Sequence, residues 1–228
     1  MDVYTTEEQQ VEAIKKWWRA NGNSVLIGIT VAIVAVLGWQ LFNQNKRATG
    51  ESAAALYSEL LETSNLVQQD RMDKNTAELE GHVATFNHLA AQLKDDFTKT
   101  EYAVFAALLL AREKVQTGKL DEAVTELQWA NEHAKSEALR LVANLRLARV
   151  LAAKGDREGA LKQLDSVEPG AQADSYEEVR GDIYVLLGDN AKARDAYKKA
   201  MDLSSAKANG TSRPILKIKH DNLLVADK

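Results

Sequence analysis

Gly118-Lys-Leu-Asp-Glu-Ala123 recurs as Gly155-Asp-Arg-Glu-Gly-Ala160 and again as Gly188-Asp-Asn-Ala-Lys-Ala193, at offsets of 37 and 33 residues. Four positions after each alanine stands a bulky residue (Leu127, Leu164, Tyr197), and three further on a smaller one (Ala130, Val167, Ala200). A repeat of this length reads as a helix–turn–helix unit stacked on its neighbours. Each glycine can adopt the left-handed conformation that ends one helix and opens the turn. Each alanine lets the second helix cross closely on the first, and the bulky residue fills the gap between units.

The flanking sequence agrees. Proline occurs only at Pro169 and Pro214, and no alternating strand pattern is sustained. Apolar residues recur with helical spacing, as in Leu79, Val83, Phe86, Leu89, Leu93 and Phe97. Helices are predicted near 50–69, 75–97, 101–117, 120–134, 137–153, 157–167, 174–187 and 190–203, with a closing segment after Pro214. The glycine, alanine and bulky positions are similar to those of the tetratricopeptide repeat, a unit of about 34 residues. Leu110-Ala111 and Leu147-Ala148 stand where that repeat carries Leu-Gly, and Arg180-Gly181 keeps only the glycine. The early tryptophan and late proline of the repeat are missing. The expected fold is all-α: a single N-terminal transmembrane helix followed by a tetratricopeptide-repeat-like α-solenoid. Repeats fall near 101–134, 137–168 and 174–203, with an atypical hairpin over 50–97 and a C-terminal cap over 213–224.

The span is read from Val25 to Phe42 (VLIGITVAIVAVLGWQLF), inside an uncharged stretch covering residues 20 to 45. At about 1.5 Å per residue it is long enough for a hydrocarbon core. A cleaved signal peptide has a shorter apolar region followed by small residues; here Trp39, Gln40, Leu41 and Phe42 end the run. Trp17 and Trp18 before it, and Trp39 and Phe42 at its far end, suit the two headgroup layers. Val11, Ile14 and the tryptophans share a face beside Lys15, Lys16 and Arg19, a pattern suited to an anionic leaflet. The division expected is a tail over 1–23 on the inner side, a transmembrane helix over 24–43 and a translocated domain over 44–228, which the family resemblance given below makes cytoplasmic and periplasmic respectively. Three flanking cations before the span against Lys46 and Arg47 after it favour the N-terminus inside by a single charge. A cytoplasm-facing repeat receptor of reversed topology therefore stays open, as does a tethered scaffold of another envelope assembly. Ser24, Gly28, Ala32 and Ala35 fall on one face of the span, where small residues let a second membrane helix approach.

The chain lacks the residues that carry most chemistry. It has no cysteine, so no thiol nucleophile, and its glycines at the turns are isolated rather than clustered into a phosphate loop. His82 and His88 are six residues apart, on different helical faces, whereas helical metal pairs stand at i, i+4; His133 and His220 lie elsewhere. No enzyme activity, cofactor or metal is expected. Residues 48–228 carry 24 Lys or Arg against 29 Asp or Glu, a balance that suits neither nucleic acid nor lipid as main partner.

Several ordered segments carry a wider likeness. They are Trp17-Trp18-Arg19-Ala-Asn-Gly22, Gly38-Trp39-Gln40, Leu145-Arg-Leu-Ala-Arg-Val-Leu-Ala152, Arg180-Gly-Asp182 leading to Leu187-Gly188, Ala196-Tyr-Lys-Lys-Ala200 and Leu216-Lys-Ile-Lys219. In this order they resemble the YfgM-type family, ancillary subunits of the bacterial Sec translocon. The resemblance implies a bacterial inner-membrane protein with its repeats in the periplasm. It further implies association with the SecYEG channel and with a PpiD-like periplasmic chaperone, and hand-over of translocated, still unfolded clients. The family has no catalytic residues to carry over.

Binding is expected on the first helix of each repeat. Counting from the turn glycines, its groove-facing positions hold Phe105, Leu108 and Arg112, then Val142, Leu145 and Arg149, then Ser175, Glu178 and Asp182. The Lys/Asn set that clamps a peptide's terminal carboxylate in some tetratricopeptide proteins is absent. A groove apolar at one end and acidic at the other suits a segment of a partner protein or unfolded clients. The competing reading makes Phe105, Leu108, Val142 and Leu145 ordinary inter-helix core. For the span, Gly28→Leu combined with Ala32→Leu is predicted to weaken co-purification with the translocon while membrane insertion persists. Unchanged co-purification places the contact in the soluble domain instead.

Overall fold

The computed structural model describes residues 7–206 and 213–225. Among the described residues nine α-helices follow in order: α1 (Glu7–Asp73), α2 (Thr76–Asp96), α3 (Glu101–Gln116), α4 (Leu120–His133), α5 (Glu137–Lys154), α6 (Arg157–Asp165), α7 (Ala173–Leu187), α8 (Asn190–Ser205) and α9 (Pro214–Val225). A 3₁₀ turn, Gly170–Gln172, precedes α7, and no strand occurs among the described residues. The chain divides into two compact units, residues 1–52 and 53–228. The first six residues of the expected tail lie outside the described residues.

The first unit is the N-terminal part of α1. It is the one helix among the described residues long and apolar enough to cross a membrane. Leu26, Ile33, Leu37, Trp39 and Phe42 are all more than half exposed, so no protein surface within the unit covers them. Trp18 lies over Gly22, where an added Cβ would meet the indole at 3.3 Å. The sequence reading separated the span from a helix beginning near residue 50; α1 instead runs on to Asp73. Residues 43–50 hold no proline, and one glycine in a helix costs only about 1 kcal/mol.

The second unit is a stack of hairpins. Gly118, Gly155 and Gly188 all have positive φ (74°, 101° and 77°), the conformation that glycine tolerates without a Cβ clash. Directly after two of them, Asp156 and Asp189 cap the next helix, accepting from the backbone N–H of Gly159 (2.9 Å) and Lys192 (3.1 Å). Ala123, Ala160 and Ala193 have no exposed surface. Their bulky partners Leu127, Leu164 and Tyr197 are buried as well.

Four apolar clusters join consecutive helices. Leu60 and Val67 of α1 meet Phe86 and Leu93 of α2 and Leu110 of α3. Val104 and Leu108 of α3, Leu127 of α4 and Leu147 of α5 form the next. Leu141, Leu145 and Ala148 of α5 then pack on Leu164 of α6 and on Tyr176, Val179 and Ile183 of α7. Leu216 of α9 closes the series against Ala193, Tyr197 and Ala200 of α8. The Tyr176 hydroxyl donates to the Leu141 carbonyl (2.9 Å), and burial pushes its pKa up to about 12.

Gly181 marks the tightest crossing. A Cβ there would lie 2.4 Å from the Tyr197 ring, which is buried and tied through its hydroxyl to Asp182 (2.8 Å). Overpacking of this kind costs about 1–3 kcal/mol, against about 1 kcal/mol gained in helix propensity. Gly181→Ala is therefore predicted to lower the melting temperature by a few degrees. Gly81→Ala, where an added Cβ meets nothing within 4 Å, is predicted to raise it slightly. Equal shifts from the two substitutions in thermal unfolding refute this account of the α7–α8 contact.

Candidate functional site

A groove of about 290 Å3 runs between α3 and α5. Leu127 lies in its floor; Leu108, Ala111 and Val115 form the α3 wall and Val150 part of the α5 wall. Gln116 and three arginines complete it: Arg112 from α3, and Arg146 and Arg149 one turn apart on α5. All three are exposed, and no carboxylate lines the groove. Partial desolvation lowers the pKa of Arg146, and the positive charges of Arg149 and Arg112 lower it further. Arg112 donates to the Ser64 hydroxyl at 2.7 Å. The nearest carboxylate along α3, Glu113, is buried and held by Arg71 of α1, whose pKa the bond raises.

The expected groove positions separate into different environments. Leu108, Arg112 and Arg149 line this groove together. Phe105 does not; its ring packs on Tyr57 (5.6 Å between centroids) and Tyr102 (6.4 Å), joining α1 to α3. Val142 packs against the cluster shared by α3, α4 and α5, and Leu145 is buried in the one shared with α6 and α7. The physical reason is that α5 serves two cores at once, so its free face runs through Arg146 and Arg149. Arg146 was missed, although its spacing of i, i+3 from Arg149 was the available signal.

The acidic positions of the third repeat are filled by the chain itself. Lys219 of α9 donates to Glu178 (3.0 Å) and to both oxygens of Asp182 (2.8 and 3.0 Å). Arg213 pairs with Glu178 as well. Ser175 is half-buried on the same helix. The acidic end expected of an open groove is thus a neutralised contact under the cap. In the first unit, Ser24, Gly28, Ala32 and Ala35 are all exposed, and Gly28 has open space where a Cβ would stand.

Residues 15–225 match the family described as a tetratricopeptide repeat-like domain. The chain belongs to that family. Within it, the chain is similar to proteins named ancillary SecYEG translocon subunit. The one from Escherichia coli (strain K12) is 28% identical over 198 residues, 87% of this chain and 88% of that protein. The one from Haemophilus influenzae (strain Rd) is also 28% identical, over 87% of this chain and 90% of that protein. The Aggregatibacter actinomycetemcomitans protein is 29% identical over 97% of this chain and all of its own length. The likeness to the translocon-subunit family expected from the ordered segments therefore holds along the tetratricopeptide repeat-like domain and the apolar helix before it.

The cap contact carries a pH dependence. Burial alone raises the pKa of Glu178, but hydrogen bonds from Lys219 and Arg213 and their charges outweigh it and hold the value below the usual one. A depressed carboxylate stabilises the fold above its unfolded pKa, and the contribution disappears as pH falls through the folded value. The Glu178 contribution to the α9 contact is therefore complete at neutral pH and fades only as pH falls through the depressed folded value. Lys219→Met, which keeps much of the stem but removes the charge, is predicted to accelerate amide exchange across 214–225 at pH 7. Exchange in α3 to α5 should stay as it was; a uniform change along the domain contradicts local opening.

Proposed function

We propose that this chain is a non-enzymatic, membrane-anchored accessory subunit of the Sec translocon, working through protein–protein contacts. The observation that carries the reading is the span of the likeness: relatives named for this role align over 97% or more of the chain, so over the apolar helix and the repeats together. The single apolar helix supplies the anchor, and its small-residue face is a candidate contact for another membrane helix. The flanking charges favour a cytoplasmic N-terminus and a periplasmic repeat domain in the bacterial inner membrane. There the repeats associate with a PpiD-like chaperone and pass on translocated proteins that are still unfolded. Hairpin stacks suit this work because they present a long surface of side chains without needing a catalytic cavity.

Two experiments test the reading. In spheroplasts, added protease should degrade the repeat domain, whereas full protection means a cytoplasmic domain and the reversed topology. In intact membranes, crosslinking from the span and the repeats, read by mass spectrometry, should yield translocon and chaperone peptides. A stable set of envelope partners lacking SecYEG supports the scaffold alternative.

A further inference from the structure

We infer that the groove between α3 and α5 binds an acidic–aliphatic segment of a partner protein, in which carboxylates flank a large apolar side chain. This rests on reading the domain as a protein-binding module, and not on which membrane complex it joins.

Three observations favour that occupant. The first is unmatched charge. Arg112, Arg146 and Arg149 line one groove of about 290 Å3, and none forms an ion pair with a carboxylate among the described residues. The cations around them behave differently: Arg71 pairs with Glu113, Lys94 with Glu126, Lys114 with Glu122 and Lys154 with Asp121. Like charges one turn apart on a helix are unfavourable for folding, so the trio costs stability within the isolated chain. The second is the surface between them. Leu108, Val115 and Val150 make the walls apolar, and Val115 is 42% exposed, which asks for an aliphatic group rather than an ion alone. The guanidinium fork then selects carboxylates, because two N–H donors match two oxygens.

The third is an internal counterpart of opposite sign. On α9, Leu216 is fully buried against α8, while Lys219 of the same helix and Arg213 just before it, three residues to either side, pair with Glu178 and Asp182 of α7. An apolar side chain between like charges is already seated on one repeat. At the α3–α5 groove the same arrangement is available with the charges exchanged and no segment of the described chain seated there.

The test uses the full-length chain in detergent and a fluorescent peptide of about ten residues, with capped ends and glutamates interleaved with leucines. One control peptide carries glutamine for glutamate, and another serine for leucine. Fluorescence anisotropy should show saturable binding of the first peptide, at least about tenfold weaker binding of each control, and weakening with salt. Each single substitution, Arg112→Gln, Arg146→Gln or Arg149→Gln, should weaken binding about three- to tenfold, and the triple variant at least about thirtyfold. Should the triple variant unfold, Val115→Glu supplies an internal carboxylate at an exposed wall position and should block the peptide. No binding by the unaltered chain, equal binding of the glutamine peptide, or full affinity in Val115→Glu overturns the inference. So does arginine-dependent capture of anionic lipid vesicles, or arginine-dependent self-association, without peptide binding. Failure of the chain to co-purify with SecYEG counts against the translocon reading alone, and failure of the peptide counts against the groove alone.

Discussion

The repeat domain depends on close crossing of paired helices over alanines that have no exposed surface, Ala123, Ala160 and Ala193. A larger side chain at any of them would push the second helix away and empty the space that Leu127, Leu164 or Tyr197 fills. No hairpin completes its core alone; each cluster borrows residues from the next helix, as α5 does for both its neighbours. Stability is therefore approximately a sum of nearest-neighbour contacts. Interior-like packing makes each contact sensitive to a single methyl group, and the Tyr197 ring lying where a Cβ would stand at Gly181 shows how little slack remains.

Fold class, turn glycines and repeat offsets were legible in the sequence because they depend on local chemistry: a positive φ, a 3.6-residue period, an alanine at a crossing. The likeness to translocon subunits was legible for another reason, the order of many modest segments. The candidate site was only partly so. Counting from glycines brought Leu108, Arg112 and Arg149 to one groove, but it did not include Arg146, and it did not separate Val142, which packs toward α3 and α4, from Leu145, which packs toward α6 and α7. A helix with two neighbours has two buried faces, and one sequence cannot say which apolar residue goes to which. Nor did counting along α7 reveal that Lys219, 37 residues after Asp182, would neutralise it; such pairing is set by how the chain returns, not by local pattern.

Charge is handled oppositely at two places in the stack. In the third repeat, acidic positions meet the cations of α9, so the chain satisfies its own surface. Between α3 and α5, three guanidiniums remain at solvent with hydrocarbon between them. The first arrangement favours the isolated fold; the second favours a complex, since electrostatic complementarity across an interface contributes to specificity and encounter rate.

The attachment of α9 also gives the array a direction. Among its described residues only Leu216 is buried, so much of the remaining hold on α7 comes from ion pairs of Arg213 and Lys219 that are part-exposed. Mobile ions screen such pairs, whereas alanine-tight helix crossings are indifferent to them. Ionic strength therefore loosens the terminal helix from its repeat, whereas the interior hairpins, which also carry screened pairs such as Lys114 with Glu122 and Lys154 with Asp121, keep crossings that hold without them.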